Sequence, residues 1–333
     1  MKKVISCILI CLLMIVSTII TVTATTVSEK ISQPLTMGNT LYVGGSGPNN
    51  YTKIQDAIND ANIGYTIFVY RGTYYENLIV NKSITLQGEN KELTIIDGQS
   101  HGSVIFVSAY LVTIRGFTIR NGGWGHYAGV WIDNANFNKI EGNVILDNHF
   151  WGICLNGSSF NTIIRNTLSM NNLGVEAGGL GDFRHTSNCN IFKDNVFSSN
   201  EVGIDFGWSK RNLFYHNILS NSSAGISFWH NNNNVIYKNV FTNNIFGLQL
   251  YFSRQNLILC NNFLDNQQDV YFLKDRLIQR NIFLRNYWNE SSQPLTVIHG
   301  GFLGLHRNWT NPIRWIQIDW LSAQEPYDIP GMS

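Results

Sequence analysis

The sequence predicts an all-β protein, a single-stranded right-handed parallel β-helix of three sheets with about 22 residues per coil and a short N-terminal capping helix. Two observations predict this class. Asparagines recur in three registers at a near-constant period, and apolar residues follow them at the same period. No helical periodicity accompanies the repeat, which excludes the helical repeat classes.

The three asparagine registers lie five residues apart within each repeat. The first contains Asn138, Asn161, Asn190, Asn212, Asn234 and Asn256. The second contains Asn143, Asn166, Asn195, Asn217, Asn239, Asn261 and Asn281, and the third contains Asn148, Asn171, Asn200, Ser222, Asn244, Asn266 and Asn286. Asparagine tolerates the left-handed backbone of tight turns, and stacked asparagines form amide ladders. We therefore expect these asparagines to be structural.

Three apolar columns share the period and predict three short strands in each coil. One column contains Ile140, Ile163, Phe192, Phe214, Ile236, Ile258 and Ile278. A second contains Ile145, Leu168, Phe197, Leu219, Phe241, Phe263 and Phe283, and a third follows a glycine at Ile153, Val175, Ile204, Ile226 and Leu248. One coil cannot bury its apolar side chains alone, so coils must stack at about 4.8 Å to form a continuous core.

The sequence at each end of the repeat departs from the repeat pattern. An open stack of coils requires this, because its exposed strand edges and apolar core must be covered. We assign the β-helix to residues 38–286 and a covering helix to residues near 52–61, which begin with the capping-box pattern Thr52–Gln55. Repetition stops at Tyr287, and the segment 287–333, rich in tryptophan and proline, is predicted to close the other end.

The N-terminus predicts export. Two lysines precede an almost uninterrupted apolar run, Val4–Ile20, and small residues near Ala24 indicate a cleavage site, so residues 1–24 are interpreted as a signal peptide. The alternative is an uncleaved membrane anchor, because the run is nearly long enough to span a bilayer. After cleavage we expect no membrane span and a secreted, periplasmic or cell-surface location.

Charge and cysteine content limit the classes of partner and metal site that the sequence predicts. The net charge is +1 without a basic stripe, so nucleic acid is not an expected partner. Beyond the signal peptide stand Cys154, Cys189 and Cys260. An odd number outside the cytosol leaves at least one unpaired, and their spacing matches no metal motif.

Several segments resemble the NosD-like family of pectin-lyase-like β-helix proteins. The N-terminal part of NosD-like proteins is similar to Tyr51–Ile58, Thr66–Val69, Gly72–Asn77, Ile84–Gly88 and Thr94–Gly98 of this chain. The C-terminal segment Ala323–Asp328 resembles that of archaeal surface β-helix proteins. The resemblance implies the fold and export. The wider group of carbohydrate-binding proteins and sugar hydrolases implies polysaccharide as the ligand, and NosD itself implies copper handling.

The strands that follow the glycines predict one outward face. Its first column contains Trp131, Cys154, Glu176, Asp205, Ser227, Gln249 and Tyr271, and its second contains Asp133, Asn156, Gly178, Gly207, Trp229, Tyr251 and Leu273. Glu176 and Asp205 fall on adjacent coils, so their Cβ atoms are expected about 5 Å apart. Between them an insertion contains Asp182, Arg184 and His185, a loop able to close over a ligand.

These residues predict a sugar-binding face. Trp131, Trp229 and Tyr251 supply flat apolar platforms, with Asp182 as a further ligand contact. Glu176 and Asp205, with Arg184 and His185, form the candidate catalytic cluster of a polysaccharide hydrolase, lyase or epimerase. The leading hypothesis is binding without cleavage. The structural alternative is that the carboxylates pair with Arg184 or hold calcium.

Copper handling is the remaining hypothesis and depends on histidine. His126, His149, His185 and His230 lie on or near the predicted face. None has the sequence spacing of paired metal ligands, so no metal ligand is assigned from sequence. His126 and His149 become candidates if they stack on adjacent coils.

Overall fold

The described chain is a parallel β-helix, which confirms the predicted class. The structure is a computed structural model that describes residues 40–178, 185–276, 280–289, 295–303 and 312–331. It contains about ten turns of about 23 residues, with almost no helix. The predicted signal peptide lies outside the described residues. No helix in the described ranges is long and apolar enough to cross a membrane.

Ladder A contains the longest strand of each coil between residues 128 and 274, and it forms the face predicted to carry a site. Its strands are β4 (Leu78–Val80), β7 (Ile105–Val107), β10 (Ala128–Asp133), β13 (Trp151–Asn156), β16 (Leu173–Ala177), β19 (Val202–Gly207), β22 (Ala224–Trp229), β25 (Phe246–Tyr251), β28 (Gln268–Lys274) and β31 (Leu295–Phe302). In β22, Gly225 directly precedes the alternation of inward and outward side chains. A Cβ atom there would meet the Gly247 carbonyl oxygen at 2.6 Å, so glycine lets neighbouring coils approach.

Ladder B runs beside ladder A along the whole stack. Its strands are β1 (Thr40–Val43), β2 (Thr66–Val69), β5 (Thr85–Gly88), β8 (Thr113–Arg115), β11 (Lys139–Glu141), β14 (Thr162–Ile164), β17 (Ile191–Lys193), β20 (Leu213–Tyr215), β23 (Val235–Tyr237), β26 (Leu257–Leu259), β29 (Ile282–Leu284) and β32 (Ile313–Trp320). All pairs within it are parallel.

Ladder C closes the third side of each coil. Its strands are β3 (Gly72–Tyr75), β6 (Thr94–Asp97), β9 (Thr118–Arg120), β12 (Val144–Leu146), β15 (Thr167–Ser169), β18 (Val196–Ser198), β21 (Ile218–Ser220), β24 (Val240–Thr242), β27 (Asn262–Leu264) and β30 (Tyr287–Trp288). Inward side chains of like kind stack along the axis. Phe241 and Phe263 lie 4.8 Å apart between ring centroids, and Trp288 follows at 4.6 Å.

Buried asparagines connect each coil to the next at the turns. Asn195 is fully buried, and its Oδ1 accepts hydrogen bonds from the backbone N and the Nδ2 of Asn166 at 3.0 and 3.1 Å. Its own Nδ2 donates to the Ile163 carbonyl at 2.8 Å and to Asn217 Oδ1 at 3.0 Å. The predicted amide ladders are therefore present, and they satisfy turn backbone groups that the strands leave unpaired.

The left-handed backbone conformation falls on the residue before each ladder asparagine. His216 and Lys238, which precede Asn217 and Asn239, have φ of 55° and 51°. The expectation that the ladder asparagines themselves adopt this conformation is wrong. Their side chains are instead committed to the axial hydrogen bonds, and residues of varied type accept the strained turn position.

The last full coil is longer than the period predicted. Asn256 donates to Asn281 Oδ1, 25 residues further on, and Asn261 donates to Asn286 Oδ1. Ile258 pairs with Phe283, and Phe263 pairs with Trp288. The assignments of Asn281 to the second register, Asn286 to the third and Phe283 to the second apolar column are therefore wrong, because three extra residues shift the register of this coil. Ile278, predicted in the first apolar column, lies outside the described residues.

The C-terminal segment adds strands to the stack. β31 and β32 form an antiparallel hairpin whose ends pair in parallel with β28 and β29. The chain then returns along ladder C, where the backbone N of Tyr327 donates to Asn262 Oδ1 at 2.9 Å. Asp319 Oδ2 accepts from the N and Nδ2 of Asn286 at 3.0 and 2.9 Å, and from Trp288 Nε1 at 3.0 Å.

A short helix covers the first coil. α1 (Ile54–Asp60) buries Ile54, Ala57 and Ile58 against the strands below. The predicted capping box does not cap it, because its N-cap residue Lys53 makes no side-chain hydrogen bond. The Glu76 carboxylate instead accepts from the backbone N of Ile54 and of Gln55, at 2.8 and 3.0 Å. An acidic group from the next coil thus binds the exposed N–H groups at the positive end of the helix.

Replacement of Asn195 by alanine should strongly destabilise the protein. It leaves the Asn166 amide groups and the Ile163 carbonyl without buried partners, at about 1–3 kcal/mol for each unsatisfied group. We expect a loss of roughly 3 kcal/mol or more in the free energy of unfolding, measured by urea denaturation. Asn243→Gly is the control, because Asn243 is exposed with φ of 55° and glycine accepts that conformation. Equal losses in the two variants would contradict the ladder's role.

Replacement of Glu76 by alanine should loosen the covering helix. The change removes both acceptors at the helix N-terminus, at a cost of about 1 kcal/mol. We expect faster hydrogen exchange at the amides of Ile54–Asp60, whereas Thr52→Ala leaves those rates unchanged. The opposite ranking would favour the capping box over the Glu76 cap.

Candidate functional site

The first predicted outward column of ladder A, and the second from Gly207 onward, are present in the structure. Backbone pairing places Phe106, Trp131, Cys154, Glu176, Asp205, Ser227, Gln249 and Tyr271 in one row. A second row contains Gly207, Trp229, Tyr251 and Leu273. The insertion after Glu176 does not shift this register, since Glu176 pairs directly with Asp205.

Glu176 and Asp205 form a largely buried pair of carboxyl groups. Only 6% of Glu176 is exposed, and the Cys154 thiol donates to its Oε2 at 3.2 Å. Ser227 hydrogen-bonds to Asp205 from the other side. Asp205 Oδ1 is buried without a hydrogen-bond donor among the described residues. The column thus runs from thiol to carboxyl to carboxyl to hydroxyl across four coils.

Burial makes both carboxyl groups weak acids. Desolvation raises the pKa of Glu176, the Cys154 hydrogen bond lowers it and the neighbouring Asp205 carboxyl raises it, and together they bring it to about 7. Desolvation also raises the pKa of Asp205 to about 6, while the Ser227 hydrogen bond lowers it. Near neutral pH the pair therefore holds protons that free carboxyl groups would have lost.

Only one of the predicted loop residues, His185, lies within the described residues. Asp182 and Arg184 lie outside the described residues. His185 lies beside Gly157, whose backbone N donates to the His185 carbonyl at 3.2 Å. Cys154 and Ser227, which the sequence did not assign to the cluster, are the hydrogen-bond partners of the carboxyl groups.

The three predicted platforms differ in accessibility. Trp131 is half-buried, with its ring 6.3 Å from that of Phe106 and 5.7 Å from that of the buried Trp151. Trp229 is 38% exposed and stacks on Tyr251 at 4.3 Å with an interplanar angle of 19°. Trp131 is therefore part of an aromatic wall, whereas Trp229 and Tyr251 form an open stacked pair.

A second aromatic stack lies beside that pair, at the turn that follows ladder A. The ring centroids of Trp208 and His230 lie 3.9 Å apart, and those of His230 and Phe252 lie 5.0 Å apart. Each of the three residues has φ near 54°. Phe252 also approaches Trp229 at 6.3 Å, so the two stacks are continuous. Sequence reasoning missed this stack, although its members are spaced by 22 residues.

This second stack forms one wall of a cavity of about 410 Å³. The cavity is lined by Trp208, His230, Asn232, Phe252, Arg254, Asp275 and Arg276. Flat rings, two guanidinium groups, a carboxylate and an amide thus converge on one space beside the Trp229–Tyr251 pair, a combination that can bind a polar ligand with an apolar face.

The histidines do not assemble a copper site in the described part of the chain. The His126 ring lies 5.7 Å from Trp151, and the His149 ring stacks on Trp124 at 4.3 Å. His149 Nε2 also lies 3.2 Å from Ser100 Oγ. No three histidine, cysteine, aspartate or glutamate side chains are grouped to hold a metal ion among the described residues. The described residues therefore offer copper no set of three such side-chain ligands.

Solved structures with this fold are distant in sequence. An alginate lyase from Paenibacillus aligns with a TM-score of 0.52 and 13% identity, covering 73% of this chain and 97% of that one. A pectate lyase aligns with a TM-score of 0.53 and 16% identity, covering 77% and 81%. At this identity the likeness concerns the fold alone.

A sequence relative and a family model give closer matches. A cell surface glycoprotein of Methanothermus fervidus is 38% identical over 97 residues, which is 28% of this chain and 16% of the glycoprotein. The match thus spans a small part of that relative. The model of the periplasmic copper-binding protein NosD matches residues 49–182 and 181–296, most of the chain and nearly all of the β-helix. The chain therefore belongs to the NosD family of parallel β-helix proteins.

Proposed function

We propose that this protein is an extracytoplasmic surface β-helix that binds polysaccharide through the outward face of ladder A. The stacked pair Trp229–Tyr251 carries the proposal, because the Trp229 ring is exposed and the half-buried Tyr251 supports it from the neighbouring strand. Sugar rings have one apolar face, which binds flat aromatic side chains at little cost in conformational entropy. The similarity to a cell surface glycoprotein and the family's periplasmic description support the location.

Polar groups beside the platform supply hydrogen bonds for sugar hydroxyls. The half-buried Asp205 and Gln249 lie in the neighbouring row, on the coils either side of Trp229, with the buried Ser227 between them. Burial raises the pKa of Tyr251, and its Tyr271 and Asp205 neighbours raise it further, so Asp205 lies within electrostatic reach of the platform. A sugar stacked on Trp229 would therefore meet acceptors and donors along its edge.

Binding is better supported than catalysis. Two adjacent carboxyl groups with pKa near 7 and 6 suit a general acid and base, which favours the second candidate, a polysaccharide hydrolase, lyase or epimerase. However, Glu176 is 6% exposed and its carboxyl already accepts from Cys154. A polymer needs direct access to the reacting acid. The burial of Glu176 therefore favours a structural role for the pair.

Removal of the platform should weaken polysaccharide binding. We expect the double variant Trp229→Ala, Tyr251→Ala to bind at least tenfold more weakly, by analogy with the stacking of a nucleic-acid base on an aromatic side chain, which is worth about 1–3 kcal/mol. The measurement is affinity electrophoresis through gels containing neutral or acidic polysaccharides. Trp124→Ala is the matched control, because Trp124 stacks on His149 with the same 4.3 Å distance and 19° angle.

Two outcomes would contradict the proposal. Failure of the folded wild-type protein to bind any polysaccharide on a broad panel would reject it. Equal weakening by Trp124→Ala and by the double variant would show that binding does not depend on this platform. Release of reducing ends or unsaturated products, lost in Asp205→Asn, would instead establish the catalytic candidate.

The carboxyl pair should make the protein less stable as pH rises. The pKa values of Glu176 and Asp205 are raised in the folded chain from ordinary values of 4.5 and 3.8. The folded state therefore binds these protons more tightly than the unfolded state, so their stabilising effect is complete below about pH 4 and is lost as pH rises through about 6 and 7. Glu176 alone contributes roughly 3 kcal/mol, at about 1.4 kcal/mol for each pKa unit.

The test compares wild type with the double variant Glu176→Gln, Asp205→Asn by urea denaturation at several pH values. We expect the free energy of unfolding of wild type to fall relative to the variant between about pH 4 and pH 8. Parallel pH profiles would show that the two carboxyl groups are not buried as described.

A further inference from the structure

The cavity lined by the Trp208–His230–Phe252 stack also contains cationic side chains, which have no part in the proposed function. Lys210, Asn232 and Arg254 lie on three successive coils and are joined by parallel bridges. Arg276 follows in the turn after the next ladder A strand and lines the same cavity as Arg254. A row of cationic groups thus runs parallel to the aromatic stack, one turn position away.

Two polar groups of this cavity have unused bonding capacity. The Arg254 side chain makes no hydrogen bond or ion pair with another described residue, and it is only partly exposed. Asn232 Oδ1 is buried and accepts no hydrogen bond in the described part of the chain. A buried acceptor without a donor is costly, so a ligand that supplies a donor there would be favoured.

The charges around the cavity select an anion. The cavity lining contains two guanidinium groups, of Arg254 and Arg276, and one carboxylate, of Asp275. A planar guanidinium pairs with the two oxygens of a carboxylate or sulfate group, with greater strength than a neutral hydrogen bond. The aromatic wall requires in addition an apolar face on the ligand, and the Asn232 carbonyl oxygen requires a hydroxyl or N–H donor.

One ligand class meets all three requirements. We propose that this cavity binds an acidic sugar residue, with its ring against the Trp208–His230–Phe252 stack, its carboxylate or sulfate on Arg254, and a hydroxyl donating to Asn232. The inference rests on the proposed function and deepens it. Because Phe252 contacts Trp229, the acidic residue and a residue stacked on the Trp229–Tyr251 platform belong to one polysaccharide chain.

The experiment measures the affinity of the whole protein for matched neutral, uronate and sulfated oligosaccharides by isothermal titration calorimetry. We expect tighter binding of the acidic ligands. Arg254→Gln should weaken their binding at least tenfold, because a hydrogen bond to a charged group is worth about 1.5–3 kcal/mol, and should leave neutral ligands unaffected. Arg115→Gln is the control, since it removes one positive charge from ladder B, where Arg115 binds Gln87. Thermal unfolding establishes that each variant is folded.

The outcomes separate this inference from the proposed function. Absence of binding to every oligosaccharide would reject both. Binding that shows no preference for acidic ligands, or that survives Arg254→Gln unchanged, would overturn the inference and leave the aromatic platform intact. Equal affinity for inorganic sulfate and for the sulfated oligosaccharide would also overturn it, since the site would then hold a simple anion. Comparison of the uronate and sulfated ligands identifies which acidic group the cavity prefers.

Discussion

The hydrogen bond from each buried asparagine to the next coil is the interaction on which the rest of the structure depends. Strands in each ladder satisfy one another's backbone hydrogen bonds. Without the asparagine side chains, however, the backbone groups at the turns would be buried without partners. A side chain such as that of Asn195 binds the coil before it and the coil after it. Every turn is thereby fixed in height and in register, and the outward columns inherit that register.

The periodic part of this arrangement could be predicted from sequence, because hydrophobic burial and amide stacking both impose the same period. The ends could not. A three-residue lengthening of the last coil moved Asn281, Asn286 and Phe283 by one register, since counting residues cannot locate an insertion within a turn. The helix cap was also missed, because Glu76 lies 22 residues from Ile54 and local patterns contain no long-range partners.

For the candidate site, too, the sequence predicted the positions that follow the repeat but not the packing around them. Alternation within ladder A placed Glu176 beside Asp205 and Trp229 beside Tyr251, as the pairing shows. It did not reveal the burial of Glu176, which depends on neighbouring side chains. It also missed Trp208, whose left-handed turn conformation removes it from strand alternation. Sequence periodicity thus locates a surface, whereas its chemistry depends on packing and turn geometry.

The bonds from one ladder asparagine to the next all run in one direction, and Asp319 stands where one of these rows ends. In the second register each backbone N–H donates toward the C-terminal end of the stack, so the row is a line of aligned dipoles whose positive end reaches Asn286. The Asp319 carboxylate binds that end. Because an ionised carboxylate only accepts hydrogen bonds, Asp319 takes the last donors of the row and passes none on through its side chain, which ends this line of aligned dipoles.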